Sequence, residues 1–286
     1  MIPNLPSQLK ILFSILIPLE FHRGIGAECL AGWLSQSAIA DDAYEIILAA
    51  PNSFPSGELQ KMRQQLRPHD KTLTLPLHHD MDLVATAADQ ARGATLVFTE
   101  SHCVPNQRFL ANATEVLRAH PDWAGFSGKS EPITHNLLSE IEAEMYLKDI
   151  TQNLEQHSWL KVLDQCFVIK KAAYEAVGGV ERSYGHFAEW VLAGRLHAAQ
   201  LTIGYDASVL VKHYYIGDLE DLVEFAEDFG AGQMRFQINH VGKPEVGWFD
   251  SPAIWANRHA LSRREAFHML KLTRSRAWLE PVSYTH

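Results

Sequence analysis

Apolar residues gather first at residues 11–17, Ile-Leu-Phe-Ser-Ile-Leu-Ile, and Pro18 closes the run. Aliphatic side chains in near-continuous succession are the pattern of a strand buried on both faces. Residues 26–34 change period: Cys29, Leu30, Trp33 and Leu34 fall on one side of a helix and read as core. Residues 44–50 return to strand and end at Pro51-Asn52-Ser53, which completes a βαβ unit. The same alternation continues. Residues 59–66 read as helix, 72–76 as a short strand, 82–92 as an Ala-rich helix with Asp82 at its N-cap before Gly93, and 94–99 as a strand. Beyond it, helices are predicted at 109–119, 137–154, 171–177 and 187–198, with strands at 123–127, 166–170, 202–206 and 209–213. A helix at 219–229, a polar segment containing Gly242, Pro244 and Gly247, and a basic helix at 261–274 finish the chain. No internal repeat or low-complexity tract interrupts this order.

Short strands alternating with helices predict an α/β fold, a mostly parallel Rossmann-like sheet with helices on both faces, whose ligands gather at the carboxyl ends of the strands. The expected division is a sheet domain over residues 1–217 and a C-terminal helical extension over 218–286 packed on it. With 286 residues, 47% of them apolar, the chain can bury a large core. The formal charge of -9 is dispersed, and no basic stripe interleaves with aromatics, so no nucleic-acid partner is expected. Cys29, Cys103 and Cys166 lack paired metal-ligand spacing and suit a reducing, cytoplasmic setting. Residues 11–17 are too short for a membrane span and lack a cleavage pattern. The basic positions Arg263, Arg264, Arg274 and Arg276 leave open a peripheral membrane contact or a solvated face.

The chemistry concentrates where strand 94–99 should turn, in Glu100-Ser-His102-Cys103. Four stretches in order, over roughly residues 11–240, resemble the family 2 glycosyltransferases of the GT-A fold. Phe13-Ser-Ile-Leu-Ile-Pro18 is similar to the opening strand, and Ala91-Arg-Gly-Ala-Thr-Leu-Val-Phe98 to the helix end and strand before the metal motif. Glu100-Ser-His102 stands where the family has Asp-x-Asp. Lys171-Ala-Ala-Tyr-Glu-Ala-Val-Gly-Gly-Val180 is similar to the acceptor-side segment; it is followed by Ala188-Glu189 at the acidic pair holding the catalytic base, by Arg195-Leu196, and by Val211-Lys-His213 at the late histidine. The chain departs from the family at Ala50-Pro-Asn-Ser53, where Asp-Asp-Gly-Ser is usual.

The resemblance implies transfer of a sugar from a nucleotide-diphosphate sugar to a hydroxyl acceptor, with inversion. Such a reaction needs a cation on the leaving diphosphate and a carboxylate to take the proton of the attacking hydroxyl. By position in the family pattern, Glu189 is the base, and Glu100, His102 and His213 hold the metal. Pro18, Glu20, Asn52 and Asp82, together with Glu100, face the donor. Glu100 and His102, two apart on an extended strand end, can project to one side. Imidazole favours borderline transition metals over Mg2+, so Mn2+ is expected ahead of Mg2+. Near the start of a helix, the macrodipole would keep Glu189 ionised and acting as a base. Each assignment has a plainer counterpart: His102 and His213 as packing histidines at strand ends, and Glu189 as a helix N-terminal carboxylate that only favours the helix.

His78-His-Asp-Met-Asp82 is dense in potential ligands but lacks helical i, i+4 spacing, and Asp80 or Asp82 would instead face the donor. His186 reads as a solvated loop histidine or an acceptor contact, and Glu131 as a solvated turn or a sugar contact. Cys103 has no local orienting acid and is not read as a nucleophile. Two other readings stay open: a GT-A-shaped binding partner without transfer activity, and a nucleotidyltransferase, for which Arg23-Gly-Ile-Gly26 is a thin phosphate loop.

Overall fold

The computed structural model describes residues 11–20, 22–76, 79–156 and 162–249. The basic helix expected at 261–274, the chain end Tyr284-Thr-His286 and His78 lie outside the described residues.

Three βα steps build the first half. Strand β1 (Phe13–Pro18) is buried at every position and leads to α1 (Gly26–Leu34), β2 (Tyr44–Pro51), α2 (Ser56–Arg63), β3 (Lys71–Leu75), α3 (Asp80–Asp89) and β4 (Thr95–Phe98). The second half runs β5 (Cys103–Pro105), α4 (Phe109–Ala119), β6 (Gly125–Ile133), α5 (Leu137–Gln156), β7 (Phe167–Lys170), α6 (Lys171–Ala176), α7 (Ala188–Ala198), β8 (Ile203–Tyr214) and α8 (Leu219–Asn239). All eight strands join one sheet in the order β3-β2-β1-β4-β7-β6-β8-β5, in which β7 and β5 run against the other strands. This mostly parallel sheet with helices on both faces is the GT-A form of the α/β sandwich.

The period of two decides which core each residue joins. Phe13, Ile15 and Ile17 of β1 pack with Cys29, Leu30 and Trp33 of α1 and with α4, while Leu16 points to the opposite core against α3. The edge near Gly93 is tied by a buried carboxylate. Glu45, fully buried, accepts hydrogen bonds from Ser14 Oγ (2.7 Å), Arg92 Nε (2.7 Å) and the Arg92 backbone (2.6 Å), and Gly93 N donates to Ser14 Oγ at 2.8 Å. The buried carboxylate is matched by these donors and by the Arg92 guanidinium.

Four expectations are corrected. The N-cap of α3 is His79, whose Nδ1 accepts the Met81 N–H at 3.1 Å, and Asp82 lies inside the first turn. Strands 202–206 and 209–213 are one, β8, and its partner β6 continues to Ile133 with a register shift between Ser127 and Lys129. Helix α8 does not stop at 229. Gly232 within it is a close-packing glycine rather than a terminator, because a Cβ there would meet Tyr184 O at 1.9 Å. The three-residue β5 carries no sequence signal of its own.

Gly128, at the β6 shift, lies against β8: a Cβ there would meet Val209 O at 2.3 Å and Cys166 Sγ at 2.5 Å. Gly128→Ala is therefore expected to lower stability by about 1–3 kcal/mol in denaturant unfolding. Gly57→Ala, facing open space on α2, is expected to be neutral or slightly stabilising.

Candidate metal and donor site

The site forms where β4 ends. After Phe98 the chain turns, and the Cys103 N–H donates to Glu100 O at 3.0 Å. Glu100 and His102 thus sit on a turn rather than on the extended strand end expected from their spacing. They still converge. Antiparallel pairing of β5 with β8 sets Cys103 opposite His213, and the Tyr214 N–H donates to His102 O at 3.0 Å.

The result is a triangle of donor atoms. His102 Nε2 and His213 Nε2 are 3.0 Å apart, and each is 3.2 Å from Glu100 Oε2. Three ligands held by one ion at about 2.1 Å are spaced about 3.0 Å apart on an octahedral face and about 3.4 Å apart in a tetrahedron. Both spacings are close to those present. Burial pushes the His102 imidazole down to about 4, helped by the Arg23 guanidinium, and lowers His213 as well, so both rings are neutral near pH 7. Burial opposes ionisation of Glu100, but its imidazole neighbours outweigh it and hold the carboxyl well below the ordinary range. Neutral imidazole and ionised carboxylate are the states a metal requires. His213 Nδ1 is buried and finds no hydrogen-bond partner among the described residues. The residues therefore fit a divalent cation.

Two adjoining cavities share Glu100 and Asp80. One is bordered by Arg23, His102, His186 and Phe225; the other by Pro18, Phe98, Thr99 and Asp164. Arg23, held at φ 45° in the loop after β1, donates to Tyr214 O and brings a permanent positive charge to the first cavity. Asp80, almost fully buried, is pushed well above the carboxylate range by burial and by Glu20 and Glu100. Glu20 is raised to about 8, chiefly by burial.

Glu189 falls in the first turn of α7, as expected, but not in the expected ionised state. Burial and the neighbouring Asp164 carboxylate push it well above the ordinary range, and Asp164 is raised to about 7, again mainly by burial. The Asp164 N–H donates to Glu189 Oε2 at 3.4 Å. The dipole of α7 does not offset removal from water, so the pair holds a shared proton near neutrality.

Of the expected donor contacts, Pro18 and Glu100 border a cavity and Glu20 lies half-buried nearby in charge contact with Asp80 and Asp82. Asn52 is exposed after β2, its N–H donating to Leu75 O, and Asp82 borders neither cavity; Asp80 takes that place. Glu131 pairs with Lys129 at 2.9 Å on the surface. His186 is buried, contrary to the solvated reading. Its ring lies 4.6 Å from that of His79 and 4.7 Å from that of Phe225, and its N–H donates to Asp228 Oδ2 at 2.7 Å. His79 Nε2 meets the same oxygen at 2.9 Å. Because His79 Nδ1 caps α3 as an acceptor, its Nε2 must carry the proton, so this trio is a hydrogen-bonded clamp on α8 rather than a ligand set. Asp80 is one of the two residues expected to face the donor, Arg23 enters the sequence reading only as part of a thin phosphate loop, and Asp164 is missed from sequence, since no spacing ties it to Glu189.

These pKa shifts set a stability profile for the metal-free protein. Carboxyls raised in the fold, Asp164 and Glu142 to about 7 and Glu20 to about 8, favour the native state while protonated, and that contribution is lost as pH rises through these values. His102 and His186, depressed to about 4, favour it while neutral, and theirs is lost as pH falls from about 6.5. In chelator, Tm is expected to rise as pH drops from 8 to 6.5 and to rise less steeply from there to about 5, where the histidine contribution is being lost. Asp164→Asn is expected to flatten the upper limb.

No family model and no curated protein sequence matches the chain. Among solved structures, it is similar to TarS 1-349 of S. aureus in complex with UDP at 14% identity over 91% of this chain and 75% of that one, with a TM-score of 0.58. It is similar to the same protein with UDP-GlcNAc at 14% identity over 95% and 79%, TM-score 0.59. A mannosyltransferase from Pyrobaculum calidifontis in complex with GDP-Man and Mn2+ matches at 14% identity over 96% and 83%, TM-score 0.60. At this identity the likeness is one of fold: the chain has the architecture of glycosyltransferase structures that hold nucleotide sugars.

Proposed function

We propose that the protein is a metal-dependent glycosyltransferase of family 2 type that moves a sugar from a nucleotide-diphosphate donor to a hydroxyl acceptor with inversion. The observation that carries the reading is the convergence of Glu100, His102 and His213 at the carboxyl edge of a GT-A sheet. The fold alone is shared by many chemistries, whereas two buried neutral imidazoles and one partly buried carboxylate, mutually 3.0–3.2 Å apart, form a ligand set.

In this reading Glu100, His102 and His213 hold the cation, which neutralises charge on the leaving diphosphate. Mn2+ serves better than Mg2+ because two of the three donors are nitrogen. Arg23 faces the same charge from the loop after β1, a contribution the acid-rich pocket otherwise lacks. Pro18, Glu20 and Asp80 border the donor, with Asn52 and Asp82 at the rim. Glu189 takes the proton from the acceptor hydroxyl, and Asp164 positions it through the shared proton. Such a base must be ionised when the acceptor binds, so activity rises with pH through the titration of the Asp164–Glu189 pair.

The test is thermal unfolding with UDP, GDP, TDP, CDP or ADP and Mn2+, Mg2+ or chelator. One nucleotide is expected to stabilise the protein with Mn2+ and less with Mg2+, by about 2–3 kcal/mol at a hundredfold excess over its Kd, and His102→Ala is expected to abolish the effect. Failure of every nucleotide under every condition would favour the GT-A-shaped partner without transfer activity. Glu189→Gln is expected to keep this stabilisation and lose about 10²–10⁴ in transfer rate.

A further inference from the structure

The metal triangle has a fourth neighbour that the transfer reaction does not use. Cys103 is fully buried beside it, and its Sγ donates to Glu100 Oε2 at 3.7 Å. That oxygen is the one shared with His102 Nε2 and His213 Nε2. One ligand atom from each of Glu100, His102, Cys103 and His213 lies within 4.8 Å of all the others. The backbone holds the thiol there, because Cys103 both closes the turn onto Glu100 O and begins β5 opposite His213. The other two cysteines differ: Cys29 Sγ faces the Glu100 backbone carbonyl and Cys166 Sγ faces Val209 O, so neither points at the triangle.

We propose that Cys103 is a conditional fourth ligand, so that a thiophilic cation such as Zn2+ is held in a closed Glu100–His102–Cys103–His213 set, whereas Mn2+ takes the three nitrogen and oxygen donors alone. The inference rests on the three-residue metal reading above and adds a second binding mode at the same centre.

The chemistry of the donors separates the two cations. Zn2+ prefers four ligands in a tetrahedron and binds thiolate strongly, and tetrahedral ligands at about 2.0–2.3 Å are about 3.3–3.7 Å apart, close to the Sγ–Oε2 and Nε2–Oε2 spacings here. Mn2+ favours oxygen and nitrogen and gains little from sulfur. On zinc binding the Cys103 S–H bond breaks, a Zn–S bond forms and the proton leaves to solvent, with no change in oxidation state. Four protein ligands complete a structural zinc site and leave no position for a diphosphate, whereas three leave positions open. Zn2+ therefore blocks the donor position by occupying the Mn2+ position with its coordination filled.

The experiment uses the whole chain and metal alone. One equivalent of Co2+, the spectroscopic substitute for Zn2+, is added and the near-ultraviolet thiolate-to-cobalt charge-transfer absorption is recorded. The band is expected in the wild type, in Cys29→Ser and in Cys166→Ser, and is expected to be lost in Cys103→Ser. Competition of Zn2+ against Mn2+, read by the electron paramagnetic resonance signal of free Mn2+, is expected to show Zn2+ affinity at least about tenfold weaker in Cys103→Ser with Mn2+ affinity changed less than about twofold. Cobalt bound to the wild type without the band, a band that survives Cys103→Ser, or equal weakening of both metals overturns the proposal. The wild-type spectrum needs no variant to fold. Mn2+ binding without the cobalt band removes Cys103 alone from the site, whereas binding of neither metal removes the three-residue reading with it.

Discussion

The candidate site depends on the register of a three-residue strand. β5 lies at the sheet edge, and its pairing with β8 is the constraint that brings His213 onto a turn more than a hundred residues earlier in the chain. Side chains alternate along β8, so a slip of one residue would place Lys212 or Tyr214 opposite Cys103 and turn the imidazole to the other face. The pairing is reinforced from outside the ladder. The Tyr214 N–H donates to His102 O, the Asn106 N–H donates to Leu210 O, and the guanidinium of Arg23 donates to Tyr214 O. The loop after β1, the turn after β4 and the end of β8 are thereby fixed to one another, and the ligand atoms inherit that rigidity.

Around this point the pocket gathers more carboxyl groups than its fixed positive charge can match. Glu20, Asp80, Asp164 and Glu189 all have raised pKa values, with burial the first cause in each. Glu100 shifts downward against burial because two imidazoles face it, as Asp228 does beside His79 and His186. The triangle can satisfy its own polar atoms by sharing ring protons, so its closeness has an explanation without a metal. What that explanation does not supply is a reason to gather two buried imidazoles and a partly buried carboxylate at a strand edge beside Arg23. A cation answers that, since it uses all three facing lone pairs at once.

Much of the fold is legible in the sequence because strands such as β1 and β4 declare themselves by composition and are closed by Pro18 or preceded by Gly93. The failures share a cause. β5 is too short for any period, α8 runs through Gly232 because Tyr184 needs the space, and His79 caps α3 through a ring nitrogen in place of the usual short polar side chain. Each is decided by a tertiary neighbour. The site divides likewise. The convergence of Glu100, His102 and His213 follows from motif order, yet the geometry that achieves it is a turn. Asp164, 25 residues from Glu189, and Arg23, 79 positions from His102 by their numbers, gain their relation only from the folded sheet.

Under the proposed reading, the exchange of a carboxylate for an imidazole at position 102 has an electrostatic consequence that suits this pocket. Each carboxylate ligand cancels one charge of a divalent ion and repels a diphosphate, whereas a neutral imidazole does neither. With Glu100 as the one anionic donor among three, the centre keeps a net positive charge toward the ligand, and Arg23 adds to it. That compensates for a pocket otherwise built from acids, several of them silenced by burial rather than by partners. The same nitrogen donors that leave charge on the cation also soften the site, and beside them a thiol is close enough to matter. Metal preference, diphosphate attraction and sensitivity to thiophilic ions then share one physical origin, the replacement of a hard oxygen donor at position 102 by imidazole beside a second imidazole at position 213.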